Sequence, residues 1–345
     1  MRLHKKGVVR ALAIVALCCA AATWWLWSTA FRANAVGAEG RFVLSQGAVP
    51  DSAVAQLATE GRLRNPESLL RYLQWRGWDQ PGDLRAGRYV VPDGLDNRGL
   101  ARLLRSGARE AVRVRFNAAR LPSDIAEAVS EQTTLDADDV VAAMTDPLTA
   151  ARNGTTVDAF RTRFIPNTYE VWYDLSATEF VDKMTAQWAL WWTEARTEKA
   201  ASHGLTPEEV GILASIVKAE TSRIDEAPTV AGLYLNRLDR GMRLQADPTL
   251  IYALGDFSIR RVLNVHRKID SPYNTYKNVG LPPGPINFPE PSYLEAVLNA
   301  QSHDYIFMCA REDFSGYHAF ARTNREHERN ARKYRKALDK QGVYR

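Results

Sequence analysis

The sequence predicts an α+β protein hung from one N-terminal transmembrane helix, with a small α+β module followed by a larger α+β domain. Three observations carry this expectation. Between Arg10 and Arg32 lie 21 residues without a charge, which as helix span roughly 32 Å, enough for a bilayer core. From Phe42 to Phe116, short amphipathic helical patterns alternate with brief strand patterns. Beyond Pro122, capped helical patterns dominate and give way to turn-rich segments with short strands. A chain of 345 residues is long for one core. The expected division is a tail at 1–10, the spanning helix at 11–31, the small module at 42–116, a helical bridge at 117–160 and the large domain at 161–345.

Arg2, Lys5, Lys6 and Arg10 precede the apolar run with no acid among them. That basic flank predicts a cytoplasmic N-terminus, a single pass and a bulk outside the cytoplasm, and Trp24, Trp25 and Trp27 suit the outer interface. The rival is a cleaved signal peptide ending at Ala33-Asn34-Ala35, but the run is long and its end aromatic. The flank also holds four of the five net positive charges. The nearly neutral remainder offers no clustered basic face for nucleic acid. One basic stretch, Arg322–Arg345, has nine Lys/Arg against three Asp/Glu and reads as the solvated face of a terminal helix. Cys18 and Cys19 lie in the apolar run, so the lone Cys309 makes no disulfide there. It reads as a small core residue of a buried strand, Tyr305–Cys309.

Within the module, helices are expected around Asp51–Glu60, Asn65–Arg76 and Leu100–Leu104, with strands near Leu84–Val91 and at Ala111–Phe116. Asp136, Asp138 and Asp139 mark a helix start in the bridge. Asp146–Asp158, with Pro, Gly, Asn and Thr, reads as a loop. Ser176 and Glu179 form a capping box for a helix through Trp192, whose Trp188, Trp191 and Trp192 read as core. Pro228–Asp239 reads as an amphipathic helix closed by Gly241.

The residue that carries chemistry is Glu220. Thr206, Pro207 and Glu209 supply an N-cap, a first-turn proline and a capping-box acid. Leu213, Ile216 and Val217 then recur at helical spacing, with Glu220 on the same stripe. A carboxyl against apolar walls is desolvated, so its pKa rises and it can hold a proton near neutrality. A general acid for glycosidic cleavage needs that property. The competing reading is a buried Glu neutralised by Lys218, Arg223 or Arg243.

Glu220 is followed by Gly241-Met-Arg-Leu-Gln245-Ala-Asp247-Pro-Thr249, Ser271-Pro-Tyr273-Asn274-Thr275-Tyr276, Gly280-Leu-Pro-Pro283-Gly284-Pro-Ile286 and Gly316-Tyr-His318-Ala-Phe320 with Thr323-Asn324. This ordered set, from about Phe164 to about Leu338, resembles the YceG-like family of membrane-bound endolytic murein transglycosylases. Two departures stand out: Arg161-Thr-Arg163 replaces an acidic residue and glycine before Phe164–Tyr173, and Ala246 stands where the family often has a hydroxyl. The resemblance implies a YceG-like catalytic domain, a LysM-like small module that binds glycan, peptidoglycan strands as substrate and peptidoglycan synthases as partners. It also implies a lytic reaction in which Glu220 performs both proton transfers and a 1,6-anhydroMurNAc end forms, ending nascent strand elongation at the inner membrane.

Candidate substrate contacts are Gln245, Asp247, Thr249, Tyr273, Asn274, Thr275, Tyr276, Pro283, Gly284 and His318. The Tyr273–Tyr276 rings, amide and hydroxyl suit sugar faces and N-acetyl groups. The stiff proline loop suits a cleft rim. Asp247 reads equally as a helix cap before Pro248. Facing Glu220 across a sugar, it would instead make a muramidase-type hydrolase. A non-catalytic tethered scaffold that binds peptidoglycan is the alternative of a different class. No cofactor is expected: the six histidines lack metal-ligand spacing, and no phosphate-cradling glycine loop or GxSxG elbow occurs.

Overall fold

The computed structural model describes residues 2–37, 41–44, 48–106, 110–117 and 119–341, with the side chains of 2–9, 11 and 26 left aside. It divides into two compact units, Met1–Val112 with Trp172–Asp174, and Arg113–Val171 with Leu175–Arg345.

The first unit begins with α1 (Arg2–Phe31), whose stretch Leu12–Phe31 is apolar and long enough to cross a membrane. Strand β1 (Phe42–Leu44), helices α2 (Pro50–Thr59) and α3 (Pro66–Trp75), strand β2 (Gly87–Tyr89) and helix α4 (Asn97–Ser106) follow. Strand, helix, helix and strand follow in that order, and β1 pairs antiparallel with β2 from Phe42–Tyr89 to Leu44–Gly87. Phe42, Leu57, Leu69, Leu73, Tyr89, Leu100 and Leu104 form the core. Asn65 caps α3 by accepting from the Ser68 amide, with Pro66 in the first turn. Asn34 ties α1 to this module: its Nδ2 donates to Asn97 Oδ1 (2.6 Å) and the Asn65 carbonyl (2.9 Å), and its Oδ1 accepts from the Asn65 amide (2.6 Å). Asn97 Nδ2 in turn donates to the carbonyl of Thr29 on α1 (2.7 Å).

In the second unit, β3 (Ala111–Phe116) pairs with β4 (Asn167–Trp172). Helices α5 (Pro122–Ser130) and α6 (Ala137–Met144) occupy the bridge, and Asp136 caps α6. The segment expected as a loop instead holds two short helices, α7 (Pro147–Arg152) and α8 (Val157–Phe160). Asp146 and Thr156 cap them by accepting from Thr149 and Ala159 amides. The same Pro and Thr residues that suggested a loop act here as helix starters.

Helices α9 (Ala177–Trp191) and α10 (Glu194–Ser202) lead to the central pair, α11 (Pro207–Glu220) and α12 (Ala227–Asp239). Both capping boxes read from sequence, Ser176/Glu179 and Thr206/Glu209, are formed. Val210, Leu213, Ala214 and Val217 of α11 and Val230, Ala231 and Tyr234 of α12 are buried together, with helix α14 (Pro291–Leu298) adding Leu294, Val297 and Leu298. Between them in sequence lies α13 (Asp247–Leu254), ended by Gly255 in the left-handed region at φ 68°. A final hairpin, β5 (Phe307–Ala310) with β6 (His318–Ala321), precedes α15 (Asn324–Lys340). Thr323 caps α15, and Leu338 is its buried residue, as expected of a solvated basic helix.

Gly284 marks a close approach of backbone to backbone. A Cβ there would stand 2.4 Å from the Asp158 carbonyl oxygen and 2.7 Å from its carbon. Both are backbone atoms that a side chain cannot displace cheaply. Gly284→Ala is expected to lose about 1–3 kcal/mol of stability in thermal or urea unfolding.

Candidate active site

Glu220 is the last residue of α11, at the point where a fully buried apolar stripe meets an open cleft. Leu213, Ile216 and Val217 are buried, and Glu220 is half-buried. The cleft, about 430 Å³, is lined from α12 by Tyr234 and Arg237, from the following turn by Gln245, from the start of α13 by Asp247, and by Tyr276 and His318. The hairpin β5–β6 supplies Phe307, Met308, Cys309 and Ala310, and α15 supplies His327.

Tyr234 donates its hydroxyl to Glu220 Oε1 at 2.7 Å. The Glu220 pKa is raised, first by burial; Asp247 nearby raises it further, while the Tyr234 hydrogen bond and His318 oppose. Burial also holds the Tyr234 hydroxyl well above its ordinary range, so it remains a donor. None of the three cations that could have neutralised Glu220 does so. Lys218 pairs with Glu290 at 2.8 Å, Arg223 donates to the Ser315 carbonyl at 2.8 Å, and Arg243 to the Lys277 carbonyl at 3.0 Å.

Around this acid, the supporting groups are held in turn. Arg237 donates to Gln245 Oε1 (2.7 Å), to the Arg243 carbonyl and to the Ile306 carbonyl. Gln245 has φ 52°, a left-handed conformation that costs a non-glycine residue on the order of 1–2 kcal/mol. The Arg237 clamp and the bond from the Gln245 amide to the Thr275 carbonyl hold it there. His318 lies against buried Glu226, which accepts from its amide (2.7 Å), from its ring Nδ1 (2.8 Å) and from Thr221 Oγ1 (3.2 Å). Tyr276 donates its hydroxyl to Asp247.

Of the residues expected to contact substrate, the fold brings Gln245, Asp247, Tyr276 and His318 into the cleft with Glu220. It withholds others. Thr249, Asn274 and Thr275 are 0–2% exposed and Tyr273 8%. Asn274 Nδ2 donates to the Arg267 and Ile269 carbonyls, and Thr249 and Thr275 bond each other at 2.8 Å. Tyr273 donates to Asp158 and accepts from Arg161. Their polar groups meet protein partners. Pro283 and Gly284 lie outside the cleft lining. Asp247 is the first residue of α13 rather than its cap, which is Ala246 with no side-chain bond. Ala246 is buried, and its amide donates to Thr275 Oγ1 at 3.0 Å. A hydroxyl at that position would point into the wall. Cys309, expected in the core, is half-buried on the cleft floor.

Sequence reading missed Tyr234 and Arg237. Both lie on the amphipathic stripe of α12, where a tyrosine reads as core and an arginine as surface. The buried Arg161 and Arg163 also have a structural use: Arg161 bonds Asp158 and Tyr273, while Arg163 pairs with Glu208 and stacks on Trp188.

A model of the YceG-like family matches residues 42–333. The chain belongs to the YceG-like family. Among curated members, a Bacillus subtilis (strain 168) protein named endolytic murein transglycosylase is 27% identical over 299 residues, 82% of this chain and 81% of the relative. A protein of the same name from Streptococcus pneumoniae (strain ATCC BAA-255 / R6) is 27% identical over 277 residues; the match covers 76% of this chain but only 47% of that longer relative. The crystal structure of a yceG-like protein from Listeria monocytogenes superposes with a TM-score of 0.54 at 25% identity, covering 84% of this chain and 98% of the other.

Proposed function

We infer that this protein is an endolytic murein transglycosylase, a lyase that cuts peptidoglycan glycan strands internally at the MurNAc–GlcNAc β-1,4 bond. The observation that carries the reading is Glu220: a carboxyl with raised proton affinity, in no salt bridge among the described residues, in a cleft. The family and the shared name of its relatives support the same activity.

In this mechanism Glu220 protonates the glycosidic oxygen, and the bond to the anomeric carbon of MurNAc breaks. The resulting carboxylate then takes the proton of the MurNAc 6-hydroxyl, whose oxygen closes on that carbon. Atoms balance without water, and the product carries a 1,6-anhydro end. The nucleophile belongs to the same ring, so proximity replaces the second carboxylate that a hydrolase requires. The Tyr234 hydroxyl occupies Oε1, which leaves Oε2 to carry the proton toward substrate. Gln245, Tyr276, Asp247 and His318 are proposed as the groups that meet the saccharide.

Incubating isolated glycan strands with the full chain in detergent and weighing the fragments tests this. Anhydro-ended internal fragments are expected; reducing ends, heavier by one water, would instead assign a muramidase using Glu220 and Asp247. Asp247→Asn separates the roles further. Asp247 raises the Glu220 pKa, so removing its charge lowers that pKa. The alkaline limb of kcat/KM, where the acid loses its proton, is then expected to move to lower pH, with anhydro products retained.

We further propose that residues 11–31 anchor the protein as a single pass in the inner membrane, N-terminus cytoplasmic, with the cleft on the outer side. The buried Asn34 supports retention of the helix: cleavage after Ala35 would remove the group that satisfies Asn97 and Ser68. Placed there, the enzyme would act on strands leaving the synthases, which are its expected partners, and end their elongation. Glycan binding by the LysM-like small module belongs to the same proposal.

A further inference from the structure

The first unit carries a second concavity, of about 780 Å³, walled by the outer end of α1 and by α3 and α4. Its α1 wall is Trp25, Trp27 and Phe31, and Trp75 and Trp78 stand opposite. Around the opening are five arginines: Arg71 and Arg76 from α3 and its end, and Arg98, Arg102 and Arg105 from α4. The last three repeat at i, i+4 and i+7, so they form one stripe on α4 turned away from buried Leu100 and Leu104. All five are exposed, and among the described residues none forms a salt bridge. Arg76 and Arg105 instead lie over the Trp78 ring, at 4.5 and 4.3 Å.

We propose that this groove binds the headgroup of an anionic phospholipid of the outer leaflet, its acyl chains running along α1. The inference rests on the membrane reading of residues 11–31. Position selects the occupant: the groove opens at the end of the apolar stretch Leu12–Phe31, the depth at which lipid phosphates lie. Chemistry agrees, since guanidinium groups bind phosphate by paired N–H donors and indole rings prefer the interface. The Asn34–Asn97 and Asn97–Thr29 bonds fix α1 to the module, so the arginine stripe is held at that level rather than swinging freely. Lipid capture would hold the module against the bilayer.

The test is native mass spectrometry of the full chain released from detergent containing equal palmitoyl-oleoyl phosphatidylglycerol and phosphatidylcholine. Retention of phosphatidylglycerol about thirtyfold above phosphatidylcholine is expected, the preference two arginines give at about 1 kcal/mol each. R102A/R105A should remove that preference while cleavage of soluble glycan stays at the wild-type rate, and R102K/R105K should restore part of it. R329A/R332A on α15, equal in charge change, should leave it intact. Equal retention of the two lipids, or an unaltered preference in R102A/R105A, would overturn the site. So would displacement of the lipid by glycerophosphoglycerol, which lacks acyl chains, or by a soluble muropeptide. The same spectra weigh the chain. Loss of residues 1–35 from protein isolated from cells would mean that the membrane reading itself has failed, a result distinct from an intact anchor with no lipid preference.

Discussion

Glu220→Gln is expected to reduce product release from glycan strands on the order of 10³-fold, at the strong end for loss of a general acid–base group. The amide has the shape of the carboxyl and can still accept from Tyr234, so fold and glycan binding should persist. Unchanged release by this variant would remove the enzyme reading and leave the tethered scaffold. A second measurement guards against trivial unfolding. Burial raises the Glu220 pKa in the folded state, so the folded protein binds this proton more tightly than the unfolded chain. Wild-type stability then falls as pH climbs from the ordinary carboxylate range through the raised value. The substituted amide does not ionise, so the variant should melt at or above the wild-type temperature near neutrality, with the gap closing in acid. A dead enzyme that is at least as stable is the signature of a group kept for chemistry.

How much of this site was legible in the sequence follows from what kind of information each residue carried. Helix α11 was readable because its cap, proline and apolar stripe are local signals, and Glu220 fell on that stripe. The cleft wall was not. Asn274 and Thr275 look like sugar contacts because their groups form hydrogen bonds, but their partners are the Arg267 and Ile269 carbonyls and Thr249, fixed only by tertiary packing. Gly284 sits in a motif that reads as a rim, while its missing Cβ serves a contact with Asp158, far away in sequence. Helices α7 and α8 escaped for another reason. They are too short to show a period, so their caps read as turn residues. Arg237 shows the reverse error: polar on an amphipathic helix, it is 6% exposed because three backbone and side-chain acceptors surround its guanidinium.

Tyr234→Phe is expected to slow cleavage by about 10- to 100-fold, the worth of a hydrogen bond to a charged group, and to move the pH profile in a diagnostic direction. The hydroxyl donates to Glu220 Oε1, and that bond favours the carboxylate, lowering the Glu220 pKa against burial. Removing it leaves burial and Asp247 less opposed. The pKa rises, and the alkaline limb of kcat/KM shifts to higher pH, opposite to the shift expected for Asp247→Asn. The rate falls even where Glu220 is fully protonated, for two reasons. The carboxylate formed after the first proton transfer loses its stabilising donor, and the carboxyl can turn so that Oε2 no longer faces the glycosidic oxygen. A merely structural tyrosine would lower stability and leave the limb in place. A profile that falls in height without moving would therefore assign Tyr234 to packing, and one that moves to lower pH would contradict the hydrogen-bond geometry on which the proton transfer is built.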